Sequence, residues 1–161
     1  MEAENKMPLS NLVAGKHYED WNIGDEYITA SRTITETDIV LFAGLSGDHN
    51  PMHTNEEFAK KGFFGTRVAH GFLVLAVSSG LINQMRLFEG TTEAFLGLKD
   101  LKFSKGVLPG DSIKSIGKVI EKKETSQGKG IIAFEVRVVN QRGEEVSSRI
   151  GVFMIKRKTG K

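Results

Sequence analysis

The chain has 161 residues, of which 39% are apolar and 26% are charged, and this balance indicates one globular domain with a hydrophobic core. It has no cysteine, which excludes disulfides, thiolate metal sites and a cysteine nucleophile. The net charge of +2 comes from interleaved basic and acidic residues, and no apolar run is long enough to cross a bilayer. We therefore expect a cytoplasmic protein with no nucleic-acid partner and no membrane partner.

The first part of the chain predicts a lead-in, a strand and a helix. Residues 1–17 lack periodicity and predict a flexible lead-in to a single domain over residues 18–161. Residues 27–34 are rich in β-branched side chains and predict a strand. Thr35 is a typical helix N-cap, and we expect the helix that it begins to end at Gly47.

The middle of the chain predicts a stiff loop followed by the longest helix. Residues 48–55 contain an Asn-Pro pair, which is typical of a turn. Residues 71–88 are apolar on nearly every side, and a helix with this pattern is buried. Small residues in its middle would let a sheet approach it closely.

The second half of the chain changes to the period of β-strands. It predicts strands at residues 94–103, 112–119, 134–138 and 146–155, separated by turns that contain glycine. A long helix followed by a run of strands indicates an α+β domain, in which an antiparallel sheet wraps around the helix. Such a sheet would leave an edge strand with which a second copy could pair.

Asp48 and His53 stand on either side of the Asn-Pro pair and are candidate general bases. Pro51 fixes its own φ angle and restricts Asn50, so the turn is stiff. A carboxylate and an imidazole that converge on one water would polarise it for attack, or remove water in the reverse direction. The alternative is structural, with Asp48 hydrogen-bonded to its own turn and His53 filling space.

The start of the long helix offers a place for a developing negative charge. The first amides of a helix have no internal partners, and a glycine at position 71 would let a ligand approach them. A thioester carbonyl that accepts the Gly71 N–H would be stabilised as it becomes an enolate. Ser79, two helical turns further on, could face the same cavity. Both have structural alternatives, a tight helix entry for Gly71 and a bond to its own helix for Ser79.

The four histidines do not form a recognised metal-binding pattern. His49 and His53 are close to Asp48 in the sequence, but no spacing matches a helical His-x-x-x-His pair or a familiar zinc motif. We therefore expect no metal, and we expect His70 to hydrogen-bond to the backbone near the helix entry.

Two blocks carry a family resemblance. Residues 46–53 read SGDHNPMH, and residues 68–71 read VAHG. They resemble the signature blocks of the MaoC-like dehydratases, the family that includes the (R)-specific enoyl-CoA hydratases. A third, weaker block lies at residues 103–111, and the likeness extends over residues 18–156.

This resemblance implies a hot-dog fold, in which an antiparallel sheet wraps around a long central helix, and a homodimer, with a higher assembly of dimers left open. It implies that Asp48 and His53 match the catalytic dyad and that Gly71 matches the amide donor to the thioester oxygen. Asn50 matches a position that braces the turn, and Ser79 matches a serine in the active sites of some members. No cofactor is implied, because CoA is part of the substrate.

The sequence therefore favours an enzyme that adds water reversibly to a trans-2-enoyl-CoA to give a 3-hydroxyacyl-CoA, with the (R) isomer implied by the resemblance. Two alternatives stay open. One is an acyl-CoA thioesterase of the same fold, although the long helix lacks the carboxylate that such enzymes usually carry there. The other is a non-catalytic acyl-CoA-binding or regulatory protein.

Overall fold

A computed structural model of the chain describes residues 15–125 and 127–158. After a 3₁₀ turn at Tyr18–Asp20, its elements in chain order are β1 (Glu26–Ile28), β2 (Arg32–Thr33), α1 (Glu36–Ser46), α2 (Pro51–Thr54), α3 (Glu56–Ala59), α4 (Gly71–Gln84), β3 (Thr92–Phe103), β4 (Ser112–Glu124), β5 (Gly130–Asn140) and β6 (Glu145–Ile155). Among these helices, none is both long enough and apolar enough to cross a membrane.

The strands form one antiparallel sheet in the order β1-β4-β5-β6-β3, and β2 also pairs with β4. The long strands β4, β5 and β6 pair along most of their length. β3 lies at an edge and pairs with β6 through three register shifts, which bend and twist the sheet. One sheet and a set of helices give the predicted α+β class.

The central helix is α4, and the core lies between it and the sheet. Six of its fourteen residues are buried and Phe72 is exposed, so the helix predicted over residues 71–88 is buried on one face only and ends earlier, at Gln84. Leu73 and Val77 pack in one cluster with Ile113 and Val138 of the sheet. A second cluster is aromatic and surrounds Trp21 at the other end of the sheet.

The strand predicted at residues 27–34 is split into β1 and β2. Thr29 lies between them and is buried. Its N–H donates to the Ser115 carbonyl, and its hydroxyl oxygen accepts the Ser115 N–H, each at 2.9 Å. The side chain of Thr29 thus replaces one backbone bond of the ladder, and the strand bends there.

Most of the predicted lead-in lies outside the described residues. Its last three residues, 15–17, are described and contact the turn after α4. The N–H groups of Gly15 and Lys16 donate to the carbonyls of Arg86 and Leu87 at 3.0 and 2.8 Å.

Candidate active site

The turn that carries Asp48 is held between two helices. α1 ends at Gly47, whose φ of 76° is left-handed and whose N–H donates to the Ala43 carbonyl at 2.9 Å. Asn50 then caps α2, since its side chain accepts the Met52 N–H at 3.2 Å, and Pro51 occupies the first helical position. The prediction of a loop over residues 48–55 was therefore wrong in part, because Asn50 and Pro51 start the short helix α2 within this segment.

Asp48 is exposed, and one of its two carboxylate oxygens is already bonded. Oδ1 accepts the Asn50 N–H at 3.2 Å, which is the structural role considered as an alternative. Within residues 15–125 and 127–158, nothing donates a hydrogen bond to Oδ2. Asp48 therefore braces its own turn and still presents one oxygen that can accept a hydrogen bond from water.

His53 lies on α2 and is 8% exposed. Its Nδ1 is 2.6 Å from the backbone oxygen of Val68. A carbonyl oxygen can only accept, so Nδ1 carries the proton and Nε2 of the neutral ring holds the lone pair. This one bond fixes the tautomer and leaves Nε2 as a base.

His70 is the residue before α4, is 3% exposed and was not predicted as part of the site. Its Nε2–H donates to the backbone oxygen of Asp48 at 2.9 Å, which confirms the expected backbone bond. Its ring also stacks on His53, with the ring centroids 3.8 Å apart and the planes at 27°. The one available signal was its place directly before Gly71 in the VAHG block.

Asp48, His53 and His70 form one cluster, in which one ligating atom from each residue lies within 4.8 Å of the others. A metal ion needs lone pairs that point to one centre. The two imidazole rings of the cluster are stacked, with their planes at 27°.

Gly71 is the first residue of α4. No hydrogen bond leads from its N–H to an acceptor in the described part of the chain. A Cβ at this position would lie 2.8 Å from two ring carbons of Phe103, so glycine is the residue that fits without displacing that ring. The free amide, together with the positive end of the helix dipole, is suited to bind a carbonyl oxygen.

A cavity of about 830 Å³ contains both the imidazole and the free amide. His53, Gly71 and Phe103 line it, and its remaining walls are mostly apolar. The residues that supply these walls include Met52, Phe63, Phe64, Val68, Phe72, Val74, Val107 and Leu108. Asp48 is not part of this lining, although it lies in the cluster with His53. The cavity therefore brings an imidazole and a helix residue with a free amide to one largely apolar space.

An ion-pair cluster holds the segment that leads into α4. Arg67 donates to Glu36 at 2.7 Å and to Glu56 at 2.8 Å, so it joins α1 to α3. These two carboxylates raise the pKa of Arg67, with the hydrogen bond to Glu36 as the largest cause. Arg67 directly precedes Val68, whose carbonyl accepts the His53 proton.

Two further predicted site residues lie outside this cavity, Asn50 in the turn-bracing position that the resemblance implied and Ser79 elsewhere on α4. Asn50 lies outside the cavity lining and caps α2, as described above. Ser79 is exposed and lines a second cavity on another part of α4, with Arg149 among its neighbours. Within one chain, Ser79 therefore does not share a cavity with His53.

Known proteins with similar sequences belong to the family that the sequence motifs resemble. The family model described as a MaoC like domain matches residues 20–141. An (R)-specific enoyl-CoA hydratase of Rhodospirillum rubrum is 38% identical over 111 residues, which cover 66% of this chain and 74% of that protein. Protein MaoC of Klebsiella aerogenes is 38% identical over 99 residues, and the match covers 62% of this chain but only 29% of that longer protein.

Solved structures show a similar fold. A monoamine oxidase regulatory protein from Archaeoglobus fulgidus has a TM-score of 0.84 at 36% identity, with 89% of this chain and 96% of that chain covered. A Mycobacterium tuberculosis protein with a double hotdog fold has a TM-score of 0.80 at 16% identity, with 92% and 46% covered. The fold is therefore the hot-dog fold that the resemblance implied. With a family model matched over most of its length, the chain belongs to the MaoC-like dehydratase family.

Proposed function

We propose that the protein is a hydratase that adds water reversibly to a trans-2-enoyl-CoA, giving the (R)-3-hydroxyacyl-CoA. The observation that carries this proposal is that His53 and Gly71 line the same apolar cavity. Nε2 of His53 is free to act as a base, and the Gly71 amide has no hydrogen-bond partner in the described residues. Membership of the MaoC-like family and relatives named as hydratases and dehydratases support the same chemistry.

The base in this mechanism is the imidazole of His53. Its Nε2 accepts a proton from a water that also hydrogen-bonds to the free oxygen of Asp48. The water oxygen forms a bond to the β-carbon of the enoyl group, and the electron pair of the double bond moves towards the thioester. The imidazolium then returns the proton to the α-carbon, so the net change is the addition of one water molecule.

The carbonyl oxygen of the thioester is bound at the start of α4. As the β-carbon is attacked, negative charge develops on this oxygen, and the Gly71 N–H donates to it. An amide fixed at a helix N-terminus needs little reorganisation to stabilise that charge. No metal or cofactor takes part, so a chelator such as EDTA should leave the rate unchanged.

The functional unit is proposed to be a homodimer paired through β3. This strand lies at the edge of the sheet and carries exposed apolar side chains at Phe95, Leu96 and Leu98. An apolar edge strand of this kind is a template for pairing with another strand. A second copy of β3 would cover these side chains and extend the sheet.

The decisive experiment follows the loss of conjugated enoyl absorbance with crotonyl-CoA and longer enoyl-CoA substrates. His53→Ala should lower kcat by about 10²- to 10⁴-fold, the contribution of a general base, and Asp48→Asn should also lower kcat, because an amide holds the attacking water less strongly than a carboxylate. His49→Ala is the matched control, because His49 is an exposed imidazole on the same turn. It should leave kcat unchanged, and chiral analysis of the product tests the (R) assignment.

Two outcomes would replace the proposal. Release of free CoA without formation of a hydroxyacyl product would favour the thioesterase, although α4 has no acidic residue in its sequence GFLVLAVSSGLINQ. Binding of acyl-CoA without turnover of any enoyl-CoA would favour a regulatory protein. Full activity in both the Asp48 and His53 variants would remove the mechanism described above.

A further inference from the structure

The second cavity, of about 480 Å³, lies between α4, β3 and β6. Its walls are largely apolar and include the aromatic side chains of Phe88, Phe95 and Phe153. Arg149 of β6 lines the same space. A cation in an apolar cavity is unusual, because a charged group is costly to remove from water without a partner.

Arg149 is only 7% exposed, and its guanidinium is fixed on one side. Nη2 donates to the Ser78 hydroxyl at 2.9 Å, and Ser78 in turn lies 2.7 Å from the Ser115 hydroxyl. Both serines are fully buried. This hydroxyl pair ties the guanidinium to α4 and β4 but supplies no negative charge.

The other end of the guanidinium has no partner. Nη1 is buried and makes no hydrogen bond, and no carboxylate of the described residues forms an ion pair with Arg149. Tyr27 lines the same cavity, and burial raises its pKa to about 12, so its phenol is neutral near pH 7. Burial also lowers the pKa of Arg149. An anion in the cavity would balance the unpaired charge of Arg149.

We propose that this cavity binds the far end of the substrate's acyl group and that Arg149 pairs with a carboxylate carried there. The inference rests on the proposed function, since the same α4 and β3 border both cavities. Gly71 and Phe103 line the first, and Ser79 and Phe95 line the second. Eight residues of helix separate Gly71 from Ser79, or about 12 Å along its axis. An acyl chain bound by its carbonyl at Gly71 would follow α4 towards Arg149.

A carboxylate fits this cavity better than other anions. It carries one negative charge, which balances the single positive charge of Arg149, whereas a phosphate would leave an excess negative charge among apolar walls. The planar guanidinium and the planar carboxylate also form a strong charge-assisted hydrogen bond. The remaining wall is suited to the methylene groups between the thioester and the carboxylate.

The test compares two substrates of equal chain length, a trans-2-enoyl-CoA that ends in a carboxylate and one that ends in a methyl group. The wild type should prefer the carboxylated substrate in kcat/KM by about 10- to 100-fold, the value of a hydrogen bond between charged groups. Arg149→Met should abolish or reverse this preference. Arg149→Lys keeps the positive charge and should therefore keep part of the preference for the carboxylated substrate.

The matched control is Arg137→Met. Arg137 is an exposed arginine on β5, one residue beyond Val136, the register partner of Arg149. This substitution should leave the preference unchanged. Calorimetric titration with saturated acyl-CoA compounds of the same two kinds measures the preference without turnover, and thermal unfolding shows whether each variant is folded.

The outcomes separate this inference from the proposed function. Equal kcat/KM for the two substrates in the wild type would overturn the inference and leave the hydratase intact. A preference for the carboxylated substrate that survives in Arg149→Met would also overturn the inference. A calorimetric preference that is lost in Arg149→Met, with no hydration of either substrate, would support the inference and overturn the proposed hydratase.

Discussion

Substitution of Gly71 by alanine tests the role of the helix amide directly. The backbone N–H is kept, but a methyl group is placed beside it, 2.8 Å from the Cε1 and Cζ atoms of Phe103. These atoms belong to the outer end of a half-exposed ring, which can turn away. The methyl group and the displaced ring would then occupy the space in which the thioester carbonyl reaches the amide.

The expected loss is that of an oxyanion donor. Removal of such a donor lowers kcat by about 10²- to 10³-fold. Stability should change little, because Gly→Ala at a compatible backbone position gains about 0.4–1 kcal/mol through the unfolded state, and this gain offsets the movement of Phe103. For a chain of this size a change of about 1 kcal/mol corresponds to a Tm shift of about 2–4 °C.

The assay is the enoyl-CoA absorbance decay, with Gly80→Ala as the matched control. Gly80 lies on the same helix, and a Cβ there would meet no atom within 4 Å. This control should gain up to about 1 kcal/mol of stability from helix propensity and keep its activity. If Gly71→Ala retained kcat/KM within about tenfold of the wild type, the amide could not be the oxyanion donor inferred above.

Three further predictions concern stability and assembly. Ser78→Ala should destabilise the protein by about 1–3 kcal/mol in chemical denaturation, since it leaves buried polar groups unpaired, whereas Ser79→Ala on the exposed side should change stability by about 0.5 kcal/mol or less. Equal effects of the two would contradict the buried network. Hydrogen bonds from Asn140, Lys105 and Arg142 lower the pKa of Glu144 from 4.5 to about 2, so its contribution to stability is present above pH 4.5 and is lost as the pH falls towards 2. Glu144→Gln should therefore unfold with a weaker pH dependence over that interval, and an unchanged slope would refute the assignment. Leu96→Lys should shift the mass in light scattering from dimer to single chain, and an unchanged mass would exclude the β3 interface.

Local signals in the sequence predicted the elements that frame the site. The Thr35 side chain accepts the Asp38 N–H at 3.2 Å, and the left-handed Gly47 ends α1, as expected. The start of α4 at Gly71 was also predicted. These features depend on residues within a few positions of one another, so composition and spacing are sufficient to find them.

Features that depend on distant residues were not predictable. The bond from His53 to Val68 spans 15 positions, and the stacking of His70 on His53 requires α2 and α4 to meet. Arg149 lies in a strand pattern that does not reveal which face carries a buried charge. Phe63 lines the first cavity while remaining 95% exposed, which its apolar character alone does not indicate. In each case tertiary packing decides the environment.

The position of Arg67 links surface electrostatics to the chemistry of the imidazole. This arginine anchors the backbone that supplies the Val68 carbonyl, and that carbonyl determines which nitrogen of His53 is basic. The ion pairs of Arg67 are partly exposed, and mobile ions screen pairs of this kind. Added salt should therefore loosen the backbone that holds the His53 ring, without any ion entering the cavity.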